Sequence, residues 1–159
     1  MGVSRPTLYK QLSSVQEALA LVSARQLYLF LDQLQALLDR GAGPETFIDM
    51  AVEAVTFART HPVTERVLTY EPEVVGHLIT GGQLASYIEQ VTDLVSPLVQ
   101  AAMDAGTIRA GDSRLTAELI GRLCGSLILT PTSSDLERLV RYALEPLLVS
   151  PAPKTRKSR

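Results

Sequence analysis

The sequence predicts an all-α fold, a bundle of about seven helices, and three observations carry that prediction. Apolar residues recur three and four apart along extended runs, as a helix with one buried stripe requires. Glycine and proline cluster between those runs, where they end helices. Nowhere does a stretch alternate apolar and polar residues with the period of two that a half-buried strand shows.

From Val15 to Leu38 there is no Gly or Pro, and Leu27, Phe30, Leu31, Leu34, Leu37 and Leu38 recur at helical spacing. Such a helix is roughly 36 Å long at about 1.5 Å per residue, enough to bridge an N-terminal head to a separate body. Gly41-Ala42-Gly43-Pro44 ends it. A second helix is expected from about Pro44 to Arg59, with Phe47 or Ile48, Ala51 or Val52, and Val55 facing inward; Thr60-His61-Pro62 breaks it. The middle reads as short helices joined by turns, one from Pro62 to Thr69 and another started by Glu71-Pro72-Glu73 and stopped at Gly81-Gly82.

Gln83 to Ala105 carries Leu84, Tyr87, Ile88, Val91, Leu94, Val95, Leu98, Val99 and Met103 as one apolar stripe. Pro97 interrupts it and predicts a kink, since proline removes a backbone donor and crowds the preceding turn. Residues Ala105 to Asp112 form a loop whose Asp112 can cap the next helix. That helix, Asp112 to Leu129, presents Leu115, Leu119, Ile120, Leu123, Leu127 and Ile128, with Gly121, Cys124, Gly125 and Ser126 small enough to admit a close neighbour. Thr130-Pro131-Thr132 ends it, and Ser133-Ser134-Asp135 supplies caps for a last helix to about Val149. Its inner face is Leu136, Leu139, Val140, Ala143, Leu144 and Leu147, while Glu137, Arg138 and Arg141 point out. The proline-rich and then basic tail, 150–159, reads as a disordered end.

The first dozen residues read as a turn followed by a short helix. Gly2 suits the turn, Ser4 the N-cap, and Pro6 the first helical turn. Val3, Leu8 and Leu12 fall on one side and leave Arg5, Thr7, Tyr9 and Lys10 outward, two cations and two hydroxyls of the kind that contact phosphate oxygens and base edges.

This string resembles the end of the helix-turn-helix of TetR-type bacterial transcriptional regulators, in which a turn ending Gly-Val-Ser leads into a recognition helix carrying Thr-Leu-Tyr and a basic residue. Gly2-Val3-Ser4, Thr7-Leu8-Tyr9 and Lys10 match in place, and Ser13 to Leu19 is similar to the link and helix start that follow. Further along, His61-Pro62, Glu71-Pro72-Glu73, the turn Ala105 to Arg109, Asp112, and Leu127-Ile128-Leu129-Thr130-Pro131 are similar in order and spacing to TetR-type C-terminal domains. The resemblance implies a remnant of the DNA-binding domain over 1–14, a helical ligand-binding and dimerisation domain over 15–149, and the tail over 150–159. It implies that Ser4 caps the recognition helix, that Arg5 and Thr7 reach base edges, and that Tyr9 and Lys10 hold phosphate. It also implies a homodimer paired through the last two helices, with Leu119, Leu123, Leu127, Leu136, Leu139, Val140, Ala143 and Leu144 as the interface residues. In that family two more helices precede the turn, whereas here Met1 lies inside it. The expectation is a reading head without its supporting helices, binding operator DNA weakly and without specificity.

Composition bounds these readings. At 159 residues with 46% hydrophobic content, the chain suffices for one well-filled domain. A net charge of -2 is not the basic balance of a domain that lives on nucleic acid, so most of the chain is not a DNA surface. A single cysteine, Cys124, excludes an intramolecular disulfide, no run of about 18 apolar residues predicts a membrane span, and the expected location is the cytoplasm.

Catalysis finds no support in the residues. His61 and His77 are the only histidines, are far apart, and have no metal-ligand spacing; no metal or other cofactor is expected. Cys124 lies in an apolar helix, as a small core residue does. Glu71 and Glu73, two apart, point to different helix faces, and Gly81-Gly82 is a turn, not a phosphate cradle. Candidates for the wall of an effector pocket are Phe47, Phe57, Tyr70, His77, Tyr87, Met103 and Leu123, since such pockets are mostly apolar with a few polar groups. Their character points to a small hydrophobic effector and no enzymatic activity. Two functions follow: a TetR-like regulator that binds operator DNA as a dimer, or a helical effector-sensing or dimerisation module without DNA binding of its own.

Overall fold

The computed structural model of this chain describes Arg25 and residues 28–150. Among the described residues there is no strand, and seven helices follow one another: α1 over 28–39, α2 Pro44–Thr60, α3 Pro62–Tyr70, α4 Pro72–Thr80, α5 Gln83–Asp104, α6 Ser113–Leu129 and α7 Leu136–Leu148. The all-α expectation holds, and the helix boundaries from Pro44 onward fall within about two residues of those read from the sequence. The expected recognition helix and most of the stretch before residue 28 lie outside the described residues, as does the tail.

The chain divides into two compact units, Met1–Ala36 and Leu37–Arg159. In the first, the described residues are helical, and Tyr28, Leu29 and Leu31 are exposed. The second holds α2 to α7 and their core.

That core is built around α2. Phe47, Ile48, Ala51 and Val55 recur three and four apart, and this stripe belongs to one buried cluster with Val99, Ala102 and Met103 of α5, Ala117, Ile120 and Leu127 of α6, and Val140, Leu144 and Leu148 of α7. Ile48, Val55, Val99, Val140 and Leu148 have no exposed surface. Each such side chain contributes about 1.5–3 kcal/mol relative to an exposed one. The small residues of α6 admit α5: a Cβ on Gly121 would stand 3.6 Å from Val91 and 3.8 Å from Ile88. α5 runs unbroken through Pro97.

The helix ends are set as their residues require. Asp112 accepts the Leu115 amide at 2.9 Å and starts α6, and Asp135 accepts the Arg138 amide at 2.7 Å and starts α7. Prolines stand in the first turns of α2, α3 and α4, where a missing amide hydrogen costs nothing. Between α5 and α6 the loop acts as a clasp. Gly106 turns it at φ 69°, Thr107 donates to the Ala42 carbonyl at 2.6 Å, the Arg109 amide donates to Leu148 at 2.7 Å, and Ile108 is inserted into the core at 4% exposure. The Arg109 guanidinium adds a bond to the Pro146 carbonyl at 3.1 Å.

Candidate functional site

The packing that closes one end of the bundle stops short of the other. α3 and α4 are nine residues each, and neither contributes a buried side chain. Val63 and Val67 recur at one-turn spacing on α3, and Val74 and Leu78 do so on α4, so each helix has an apolar stripe that wants a partner. Between these stripes and the first turns of α5 lies a cavity of about 610 Å³. Ala58 from the end of α2 and Gly125, Ile128 and Leu129 from the end of α6 complete the wall. Thr64, Val75 and Leu68 fill in the α3 and α4 side.

α5 supplies the polar part. Gln83, Ser86, Tyr87 and Gln90 line the cavity beside Leu84, and their spacing puts all four on one helical face. Gln90 Nε2 lies 3.4 Å from Ser86 Oγ, a long bond that leaves most of both groups' capacity open. No Asp, Glu, Lys, Arg or His is among the lining residues described, and Tyr87 is the single titratable one. What such a wall offers is apolar area with neutral hydrogen-bonding groups at one side.

Charges stand on the outer surfaces. Arg114 of α6 reaches back to α5, 2.5 Å from Asp93 and 2.8 Å from Glu89, and these carboxylates raise its pKa, the hydrogen bond to Asp93 most of all. Arg122 pairs with Glu118 on its own helix at 2.6 Å, and Arg141 joins α7 to α2 through Glu45 at 2.7 Å. Among the described residues no group of three or more His, Cys, Asp or Glu is placed to hold a metal ion, and no helix is long and apolar enough to cross a membrane.

Of the pocket residues expected from sequence, Tyr87 alone lines the cavity. Phe47 and Met103 are core residues, buried among α2, α5, α6 and α7, and Leu123 packs against that core. Tyr70 is 77% exposed at the end of α3. His77 is exposed, with Nδ1 3.2 Å from the Glu73 carbonyl in its own helix. The Phe57 ring lies 5.9 Å from that of His61, away from the lining. The expectation chose large and aromatic side chains, but the walls are built from valine, leucine and small residues. The missed signals were the valine and leucine spacing on α3 and α4 and the neutral polar face Gln83, Ser86, Gln90, which an apolar count passes over.

The interface expectation changes in the same way. Leu127, Val140 and Leu144 belong to the core of this chain and are 7%, 0% and 1% exposed, so they have little or no surface to offer a partner. Leu123, Leu136, Leu139 and Ala143 are half-buried, and Leu119 is 48% exposed. The apolar groups that these two helices do present are Leu115 and Leu119, one turn apart on α6, and Tyr142 on α7 at 81% exposure. Ser4, Arg5, Thr7, Tyr9 and Lys10 lie outside the described residues.

Cys124 is half-buried, with Sγ 3.9 Å from the Ala51 carbonyl, and burial pushes its thiol up to about 11. A thiol so raised is a packing group and a poor nucleophile. No protein-family model, curated protein or solved structure matches this chain.

Proposed function

We propose that the chain is a TetR-like transcriptional regulator whose cavity between α3, α4, α5 and α6 takes a small hydrophobic effector. The single observation that carries this reading is the cavity: about 610 Å³ of space, walled by aliphatic side chains and roofed by two helices with no buried residue of their own. A volume of this size is within the range of small-molecule sites, roughly 300–1,000 Å³. The TetR-type pattern of Gly2 to Lys10 and the ordered body motifs support the rest: operator DNA as partner, Arg5 and Thr7 at base edges, Tyr9 and Lys10 on phosphate, and a homodimer. No reaction is assigned to it.

In this reading the effector binds one arrangement of the helices better than another, and the difference in affinity sets how far DNA binding shifts. The test is a mobility-shift titration of the chain on the DNA upstream of its own gene. Weak binding without sequence preference, together with a compound that raises the thermal midpoint, is the expected outcome, since the reading head expected from the sequence lacks its supporting helices; a tight, sequence-specific complex would overturn that reading of the head. Thermal stabilisation with no DNA complex at any concentration would replace the regulator with a sensing module that lacks DNA binding of its own. For the dimer, Leu115→Glu together with Leu119→Glu on the exposed face of α6 should give a folded monomer in sedimentation. An unchanged dimer would place the contact elsewhere.

A further inference from the structure

We propose that the cavity selects uncharged amphiphiles, molecules with an apolar body and one neutral hydrogen-bonding end, and seats that end against the first two turns of α5. The inference rests on the effector-site reading above and adds the chemistry of what enters. Four residues on one face of α5, Gln83, Ser86, Tyr87 and Gln90, carry nearly all the polarity of the wall, with only Thr64 of α3 beyond them. Between them they offer amide and hydroxyl groups that both donate and accept, so an alcohol, amide or ketone finds a partner. The facing walls are valine, leucine and isoleucine and take the body of the molecule.

Nothing in the lining balances a charge. The cation nearest in sequence to the α6 part of the wall, Arg122, is one turn before Gly125 and is already paired with Glu118. Glu89, beside Gln90, is held by Arg114. The N-terminus of α5 favours an anion, but the C-terminus of α4 ends at Thr80, three residues earlier, and its partial negative charge offsets it. Among the lining residues an ion meets no opposite charge, whereas a neutral end exchanges water for Ser86 and Gln90.

Displacement of the neutral dye Nile red at neutral pH, by 1-decanol, decanoate and decylammonium, tests the proposal on the full chain. These competitors share one body and differ at one end. Decanol should displace the dye at concentrations about tenfold below either ion, the ratio expected for a charge that keeps part of its water. Gln90→Lys should invert the order of decanol and decanoate. Decanoate or decylammonium matching decanol on the native chain would overturn the proposal while leaving the effector site standing. An unchanged order in Gln90→Lys would overturn the placement of the polar end on α5. Failure of Nile red to bind, or binding undiminished when Gly125→Leu fills the cavity, would overturn the effector site itself and this inference with it. Should Gly125→Leu not fold, Val67→Trp plugs the same space from α3, where no side chain is buried.

Discussion

The two ends of this helical bundle are built from similar residues and reach opposite results. At one end, α2 and α7 meet over Ile48, Val140, Leu144 and Leu148, and the clasp of Thr107, Ile108 and Arg109 ties the α5–α6 loop to both. At the other, α3 and α4 are also rich in valine and leucine, yet Val63, Val74, Leu78 and Ile79 are between 37% and 51% exposed. The difference lies in length and tethering. A nine-residue helix bounded by proline at one end and a turn at the other covers little area, and nothing beyond its own junctions holds it down. Close packing fills the first end; the lack of it gives the second end its cavity.

That contrast is open to direct attack. Leu144→Ala removes a side chain that is 1% exposed and should cost about 2–5 kcal/mol in urea unfolding, whereas Leu78→Ala on the cavity wall should cost roughly 1 kcal/mol at most. Equal losses would mean that the two ends are equally packed. In native-state hydrogen exchange, amides of α3 and α4 should open well below the global free energy and those of α2 and α7 near it, and a bound ligand should slow the first set selectively. Breaking a clasp bond with Thr107→Val, which leaves the Ala42 carbonyl without that donor, should cost about 1 kcal/mol. Asp135→Ala should cost about the same through loss of the α7 cap.

The smallest effect concerns Cys124, which lies between the two ends on α6. Its thiol is held neutral in the fold, with a pKa raised from 9.0 to about 11, so the stability it lends is full below pH 9 and fades as pH climbs toward 11. Alkaline unfolding should therefore be blunted in Cys124→Ala over that window. At neutral pH, thiol reagents should label the native chain far more slowly than the denatured one; rapid native labelling would show that this part of α6 opens with the cavity end.

Helix positions were legible because their signals are local. The Gly41–Pro44, Thr60–Pro62 and Gly81–Gly82 breaks, and the Asp112 and Asp135 caps, act within a turn or two of chain, and each appears where its residue chemistry puts it. The inward stripe of α2 was read as Phe47 or Ile48, Ala51 or Val52, and Val55; of these Phe47, Ile48, Ala51 and Val55 are buried. The cavity was not legible. Phe47 and Tyr70 are both aromatic residues on apolar stretches, and only the arrangement of neighbouring helices makes one 2% and the other 77% exposed. Val140 and Leu144, read as a surface for a partner, turned out to be claimed by α2 of the same chain.

By itself, then, the sequence determined that the described part of this protein is helical, where the helices from α2 to α7 begin and end, and which residues make up their apolar stripes. The tertiary structure alone decided which stripes meet and which are left facing a gap. Periodicity and capping are properties of neighbouring residues along one helix, whereas a cavity is set by the distance between helices far apart in the chain. That distance depends on the volumes of all the side chains between them at once.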